Sequence, residues 1–270
     1  MKIGVAIRTM GPQSTRETIV DCALHAERLG FDSIWLPEHI AIPPDDAEGS
    51  DGRYLDPLVT LAYLAGKTER ITLATGALIL PYRPPLVTAK LVATLQELAQ
   101  GRLALGVGIG WMRSEFKALG LNMRKRVRDS EAVLEFLNRA FANDIVELNG
   151  QQFYFRPRPE KPPIYVGGAP PHALQRALDY GDGWLPMRFS PEELRPWVVK
   201  YHKLARDAGK ARALVVLMTA LPTDDGSRCR DLCAAYAEVG VDVLVHSDRY
   251  ENLKVQRQRM AMVAEAWPGT

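Results

Sequence analysis

Eight times along its 270 residues the chain places a short apolar, β-branched run ahead of a longer stretch with apolar residues at helical spacing. No other feature constrains its fold as tightly. The first pair shows the pattern. Residues 2–8 carry Ile3, Val5 and Ile7 at alternate positions, as a strand does. Residues 15–29 then put Ile19, Ala23, Ala26 and Leu29 on one helical face, and Gly30 supplies the stop. Further strands are predicted at 33–36, 71–80, 102–107, 163–166, 183–187, 213–221 and 241–246. Helices are predicted at 58–65, 86–98, 127–142, 172–180, 191–208, 228–239 and 251–266.

Strands that read as buried on both faces and alternate with helices belong in a parallel sheet. Eight strand–helix units favour a closed α/β barrel, a (β/α)8 barrel of the TIM type, over an open doubly wound sheet. One segment breaks the rhythm. Between residues 145 and 155, Asn149-Gly150 separates two strand-like runs, which is a strong hairpin signal. It predicts a short hairpin insertion, closed off by Arg156-Pro157-Arg158-Pro159. With no linker and no repeat, residues 1–270 read as a single domain.

Composition excludes several function classes. A formal net charge of +2 gives no basis for a nucleic-acid partner or an anionic membrane surface. No apolar stretch approaches the ~20 residues of a membrane span. The N-terminus enters its first strand without a secretion signal. Cys22, Cys229 and Cys233 are odd in number and form no CxxC pair, so neither a disulfide framework nor a metal site is expected. A cytoplasmic protein is the expectation.

In such a barrel, chemistry gathers at the carboxyl ends of the strands. Four stretches fall there. Glu38-His39 closes the second strand, where an imidazole can bond a ligand or move a proton near neutral pH; capping the loop, or pairing with Glu38, is the plainer role for His39. Thr75-Gly76-Ala77 puts a glycine inside an apolar strand, the mark of a bulge, a close backbone approach or tight barrel packing. Gly108-Ile109-Gly110 lets main chain approach a ligand at the end of the fourth strand, but lacks the third glycine of a dinucleotide fingerprint. Gly167-Gly168 precedes a helix and reads as either an anion site or a tight turn. Trp111 and Trp184 are candidates for lining a substrate pocket or for buried packing. The basic run of Arg124, Lys125, Arg126 and Arg128 reads as the solvated start of a helix.

Taken in order, these stretches resemble the luciferase-like superfamily, and within it the branch that uses the deazaflavin coenzyme F420. The resemblance rests on residues 31–39 (ending Trp35-Leu36-Pro37-Glu38-His39), 71–76, 101–111, 162–168 and 181–186, and it spans roughly the first 196 residues. It implies a TIM barrel with a non-proline cis peptide at Gly76–Ala77 behind the coenzyme ring. It further implies coenzyme contacts at Glu38, His39, Thr75, Gly76, Ala77, Gly108, Ile109, Gly110, Gly167 and Gly168, with His39 as the catalytic group and Gly167-Gly168 cradling a phosphate.

The activity implied is hydride transfer between F420 and a small organic substrate. The alternatives are an FMN-dependent monooxygenase using molecular oxygen and fed by a partner reductase, and a flavin-binding protein without turnover. A homodimer is implied as well. Two departures narrow the reading. Trp111 stands where the sugar-phosphate dehydrogenases of this branch carry an acid, and the light-emitting members' large insertion is missing.

Overall fold

Strands buried on both faces need a cover on each, and in the computed structural model eight of them close on themselves. The structure describes residues 1–210 and 213–267. In chain order the elements are β1 (Lys2–Ala6), α1 (Arg16–Leu29), β2 (Ser33–Leu36), α2 (Pro57–Ala65), β3 (Thr72–Ile79), α3 (Pro85–Leu98) and β4 (Leu103–Gly108). There follow α4 (Arg113–Ala118), α5 (Arg126–Ala142), β5 (Ile145–Leu148), β6 (Gln151–Tyr154), β7 (Ile164–Gly167), α6 (His172–Tyr180) and β8 (Gly183–Leu185). The chain ends with α7 (Pro191–Asp207), β9 (Leu214–Thr219), α8 (Gly226–Val239), β10 (Val243–His246) and α9 (Leu253–Ala266).

The barrel order is β1-β10-β9-β8-β7-β4-β3-β2, with every pairing parallel. The expected (β/α)8 barrel is thus what forms, and β5 and β6 make the expected hairpin, antiparallel and outside the barrel. The helix borders follow ordinary capping chemistry. Thr15 caps α1, which ends at Gly30 in the left-handed conformation, φ 83°. Ser190 and Glu193 form a reciprocal capping box on α7. The run Arg124–Arg128 opens α5 as expected, with Arg124, Lys125 and Arg128 exposed.

Alternation along each strand divides the core in two. Outward residues such as Ile34, Leu36, Leu73 and Leu105 pack under the helices. Inward residues Trp35, Ala74, Ala104, Tyr165, Leu185 and Met218 fill the barrel with a separate cluster. The Trp35 indole fits there because its neighbours lack side chains. A Cβ on Gly4 would stand 2.8 Å from the indole nitrogen, and one on Gly106 would stand 3.0 Å from its ring. Burial of the ring is complete, and its N–H donates to the Ser33 hydroxyl at 2.8 Å.

Candidate active site

The C-terminal rim is built by the segments that leave these strands, and its bend begins in β3. The register with β4 shifts between Gly76 and Leu78, and the Gly76–Ala77 peptide is cis. Both the bulge and the bond stand where the resemblance put them. Gly76 has a packing reason too, since a Cβ there would meet Met218 Cε at 2.6 Å and Trp35 at 3.3 Å. Above this floor opens a cavity of about 540 Å³, lined by Trp35, Pro37, Gly76 and Met218 and by Arg8, Arg188 and Arg249 among others. Its size is that of a small-molecule site.

His39 follows β2 at the rim and is held from three sides. Its ring meets Tyr54 edge-on at 4.9 Å and Trp111 at 5.9 Å between centroids. Its Nδ1 lies 3.0 Å from a carboxylate oxygen of Glu115, a fully buried side chain on α4. Glu115 also accepts from the Ile40 N–H (2.6 Å), the Ala41 N–H (3.1 Å) and the Tyr82 hydroxyl (2.8 Å). Burial alone would raise the Glu115 pKa. The bonds from Ile40, Tyr82, Ala41 and His39 outweigh it and hold the carboxyl below its ordinary value. Glu115 is therefore ionised near neutral pH, Tyr82 stays a donor because burial and that carboxylate raise its pKa, and the His39 proton belongs on Nδ1. The imidazole then turns Nε2 away from Glu115 as an acceptor.

Glu115 escaped the sequence reading. It lies 76 residues from His39, on a helix of six residues too short to show a period. The acid adjacent in sequence, Glu38, is the nearer candidate for a partner of His39, and it pairs with Arg83 instead.

Other sequence-based assignments are relocated. Glu38 is buried below the rim, where it accepts from the Ile79 N–H at 2.6 Å and pairs with Arg83 at 2.5 Å. Burial pushes its pKa up, against the opposing pull of Arg83. It braces the end of β3. The Thr75 hydroxyl, fully buried, donates to the Gly106 carbonyl at 2.8 Å and ties β3 to β4.

Gly108, Ile109 and Gly110 are half-buried at the β4 end. A Cβ on Gly108 would meet Ile79 at 3.2 Å and Ala77 at 3.5 Å, whereas Gly110 (φ 78°) would drive one into Phe116 at 2.8 Å. Gly110 thus serves the turn into α4. After Gly167-Gly168, Pro170 and Pro171 carry no N–H, which narrows the donors for an anion to Gly168, Ala169 and His172.

Trp184 is fully buried outside the barrel against Phe189 and Tyr201, with its N–H on the Gly168 carbonyl at 3.0 Å, so it lines no pocket. Trp111 is 69% exposed at the rim beside His39.

A family model for luciferase-like monooxygenases matches residues 1–266. The chain belongs to that family. One full-length relative, the uncharacterised protein Rv0940c of Mycobacterium tuberculosis, is 29% identical over 269 residues, covering 91% of this chain and 93% of its own length. Among solved structures, this family member resembles an F420-dependent secondary alcohol dehydrogenase in complex with an F420–acetone adduct. The TM-score is 0.83 at 16% identity, with 99% and 98% of the two chains covered. It also resembles the FMN-bound oxygenating constituent of 3,6-diketocamphane monooxygenase from Pseudomonas putida, at TM-score 0.67 and 18% identity, covering 82% and 67%. At these identities the structures speak for the fold. No helix among the described residues is long and apolar enough to cross a membrane.

Proposed function

We propose that this luciferase-like chain is a redox enzyme that binds coenzyme F420 at the barrel rim and exchanges a hydride with a small organic substrate. One observation carries the reading. A small-molecule cavity opens over an apolar floor of Trp35, Met218 and Gly76, on the same rim where Glu115 fixes the imidazole of His39. A flat heterocycle fits such a floor, because Gly76 brings bare main chain to its surface and Trp35 is held rigidly.

When bound, the coenzyme supplies the hydride chemistry. The protein's own part is to hold the ring on the floor, to present main chain at Gly108 and Gly168, and to aim His39. With Nδ1 committed to Glu115, Nε2 accepts a proton or a hydrogen bond at a fixed place, and the carboxylate stabilises the imidazolium that results. Trp111, exposed beside that ring, is the aromatic placed to meet the substrate.

F420 is preferred because the compact length and the Leu36-Pro37-Glu38-His39 element resemble the F420-dependent branch more closely. The FMN-containing neighbour motivates the second reading, a monooxygenase supplied by a partner reductase. Titrating the purified protein with F420 and with FMN decides between them. Tight F420 binding, with no oxygen uptake in the presence of reduced FMN, is expected. The reverse result replaces the first reading by the second.

A second copy of this chain is the partner the reading includes. Val59 and Tyr63 on α2 and Val87 and Leu91 on the adjoining α3 are exposed at helical spacing and form an apolar stripe. Sedimentation of the wild type against Val59→Glu/Leu91→Glu tests it, and a wild-type monomer refutes it.

A further inference from the structure

The arc of the rim formed by β8, β9, β10 and β1 carries a concentration of positive charge. Arg8, Arg188 and Arg249 all line the 540 Å³ cavity. The one acid in its wall, Asp248, is already engaged by Arg259 at 3.1 Å and by the backbone N–H of Arg249 at 2.7 Å.

Arg8 is the informative member. It is only 9% exposed, yet no carboxylate pairs with it among the described residues. Its Nη2 donates to the Gly49 carbonyl at 3.3 Å, its guanidinium lies 6.0 Å from the centre of the Tyr250 ring, and its Nε is buried with no partner. A buried cation without a counter-charge is costly and marks a place where an anion completes the structure. The Arg188 and Arg249 guanidinium groups form no hydrogen bond or ion pair among the described residues. Arg188 is held in the left-handed region (φ 58°), unusual for a residue other than glycine, with its N–H on the Met218 carbonyl at 2.9 Å. Beside these cations the cavity wall is apolar, with Met10, Pro37 and Ala220.

We infer that this arc is the substrate subsite, and that the substrate is an amphipathic organic oxyanion. Its carboxylate or sulfonate is held by Arg8, Arg188 and Arg249, and its carbon frame packs against Met10, Pro37 and Ala220 of the cavity wall, leaving the Trp35 and Gly76 floor to the coenzyme. Guanidinium groups suit this task because their forked donors match a planar or tetrahedral oxyanion. The inference rests on the redox reading only in calling the ligand a substrate. The same chemistry has a second source, the anionic tail of the coenzyme, and the test separates them.

The probe is a fluorescent pair, 8-anilinonaphthalene-1-sulfonate and its uncharged parent N-phenyl-1-naphthylamine, titrated into the full chain. The expected result is a preference for the sulfonate of about tenfold or more. That preference disappears in the double variant Arg188→Asn/Arg249→Ala, whose two sites are exposed and whose asparagine tolerates the left-handed backbone. The variant keeps wild-type affinity for F420. Equal binding of the two dyes to the wild type overturns the inference, as does a preference that survives in the variant. Loss of F420 affinity in the variant assigns the arginines to the coenzyme tail and also overturns it. Failure of the wild type to bind either F420 or FMN, with the sulfonate preference intact, sinks the redox reading and leaves the oxyanion subsite standing.

Discussion

The two arcs of the rim differ in what their buried polar atoms are gathered around. On the arc from β2 to β4, Glu115 collects donors from Ile40, Ala41, Tyr82 and His39 within one buried cluster. On the arc from β8 through β10 to β1, Arg8 Nε, Thr9 Oγ1 and His246 Nε2 are buried with no hydrogen-bond partner among the described residues. A buried polar atom left unpaired costs about 1–3 kcal/mol. The first arc satisfies the Glu115 carboxylate before any ligand arrives, although Arg83 Nη1 nearby is buried without a partner, and it fixes the geometry of one imidazole, as catalytic groups require. The second tolerates unpaired atoms, as a surface does when a ligand completes it. Breaking the first arc at its buried anchor, Glu115, should cost turnover and stability together. Breaking the second should change what binds.

The largest effect is expected at His39. His39→Ala removes the one group whose free nitrogen is aimed by the cluster, and turnover of any accepted substrate should fall by about 10²–10⁴-fold, the usual range for a lost acid–base group. Thermal unfolding should scarcely change, since the side chain is partly exposed at the rim. Normal turnover in the variant would remove His39 from the chemistry.

Glu115→Ala strikes the same arc through its anchor. It leaves the Ile40 and Ala41 N–H groups and the Tyr82 hydroxyl without their acceptor, so urea denaturation should show a loss of about 3–5 kcal/mol. Glu115→Gln, which keeps one acceptor oxygen, should recover part of that stability but not the tautomer of His39. A stable Glu115→Ala protein with unaltered turnover would mean that the arc is not organised around this carboxylate.

How far the sequence foretold these arcs depends on the range of each signal. The barrel was legible because strand and helix periods are local, and Asn149-Gly150 announced its hairpin in two residues. His39 was legible from its place at a strand end. Glu115 was not, because a six-residue helix has no period and its partner is 76 residues away. Glu38 and Trp184 mark the limit of that legibility, for one shared reason. Alternation sends neighbouring side chains to opposite faces, and one position decides between rim and packing. The glycines were legible in place but not in their partners. Gly76 and Gly110 answer to Met218, Trp35 and Phe116, contacts that only the closed barrel creates. The arginine arc gathers residues 8, 188 and 249, which no window along the chain unites.

His246 tests the second arc by titration. Burial depresses its pKa from 6.5 to about 4, and its Nδ1 accepts the Leu221 N–H at 3.1 Å. Above pH 6.5 the ring is neutral in both folded and unfolded chains and has no effect. As pH falls from 6.5 toward 4, the unfolded chain takes up a proton that the folded one refuses, and stability declines by about 3 kcal/mol in all. His246→Asn keeps an acceptor for Leu221 and removes the titration. Urea midpoints measured from pH 7 to pH 4 should fall less steeply in the variant than in the wild type. Parallel curves would show that the acid sensitivity arises elsewhere.

The smallest effect is expected from Gly108→Ala, and it reads the first arc at the point where main chain should meet the coenzyme. The added Cβ lies 3.2 Å from the Ile79 methyl and 3.5 Å from Ala77, contacts that a small shift of the Ile79 side chain relieves, so stability should hold to within about 1 kcal/mol. The methyl group would nevertheless occupy space at the half-buried end of β4, where a bound ring or its chain needs the backbone bare. F420 affinity should drop about tenfold, or 1.4 kcal/mol, in a titration beside the wild type. The sulfonate preference of the opposite arc should stay as it was. If F420 affinity is unchanged while the dye preference shifts, the two arcs have been assigned the wrong way round.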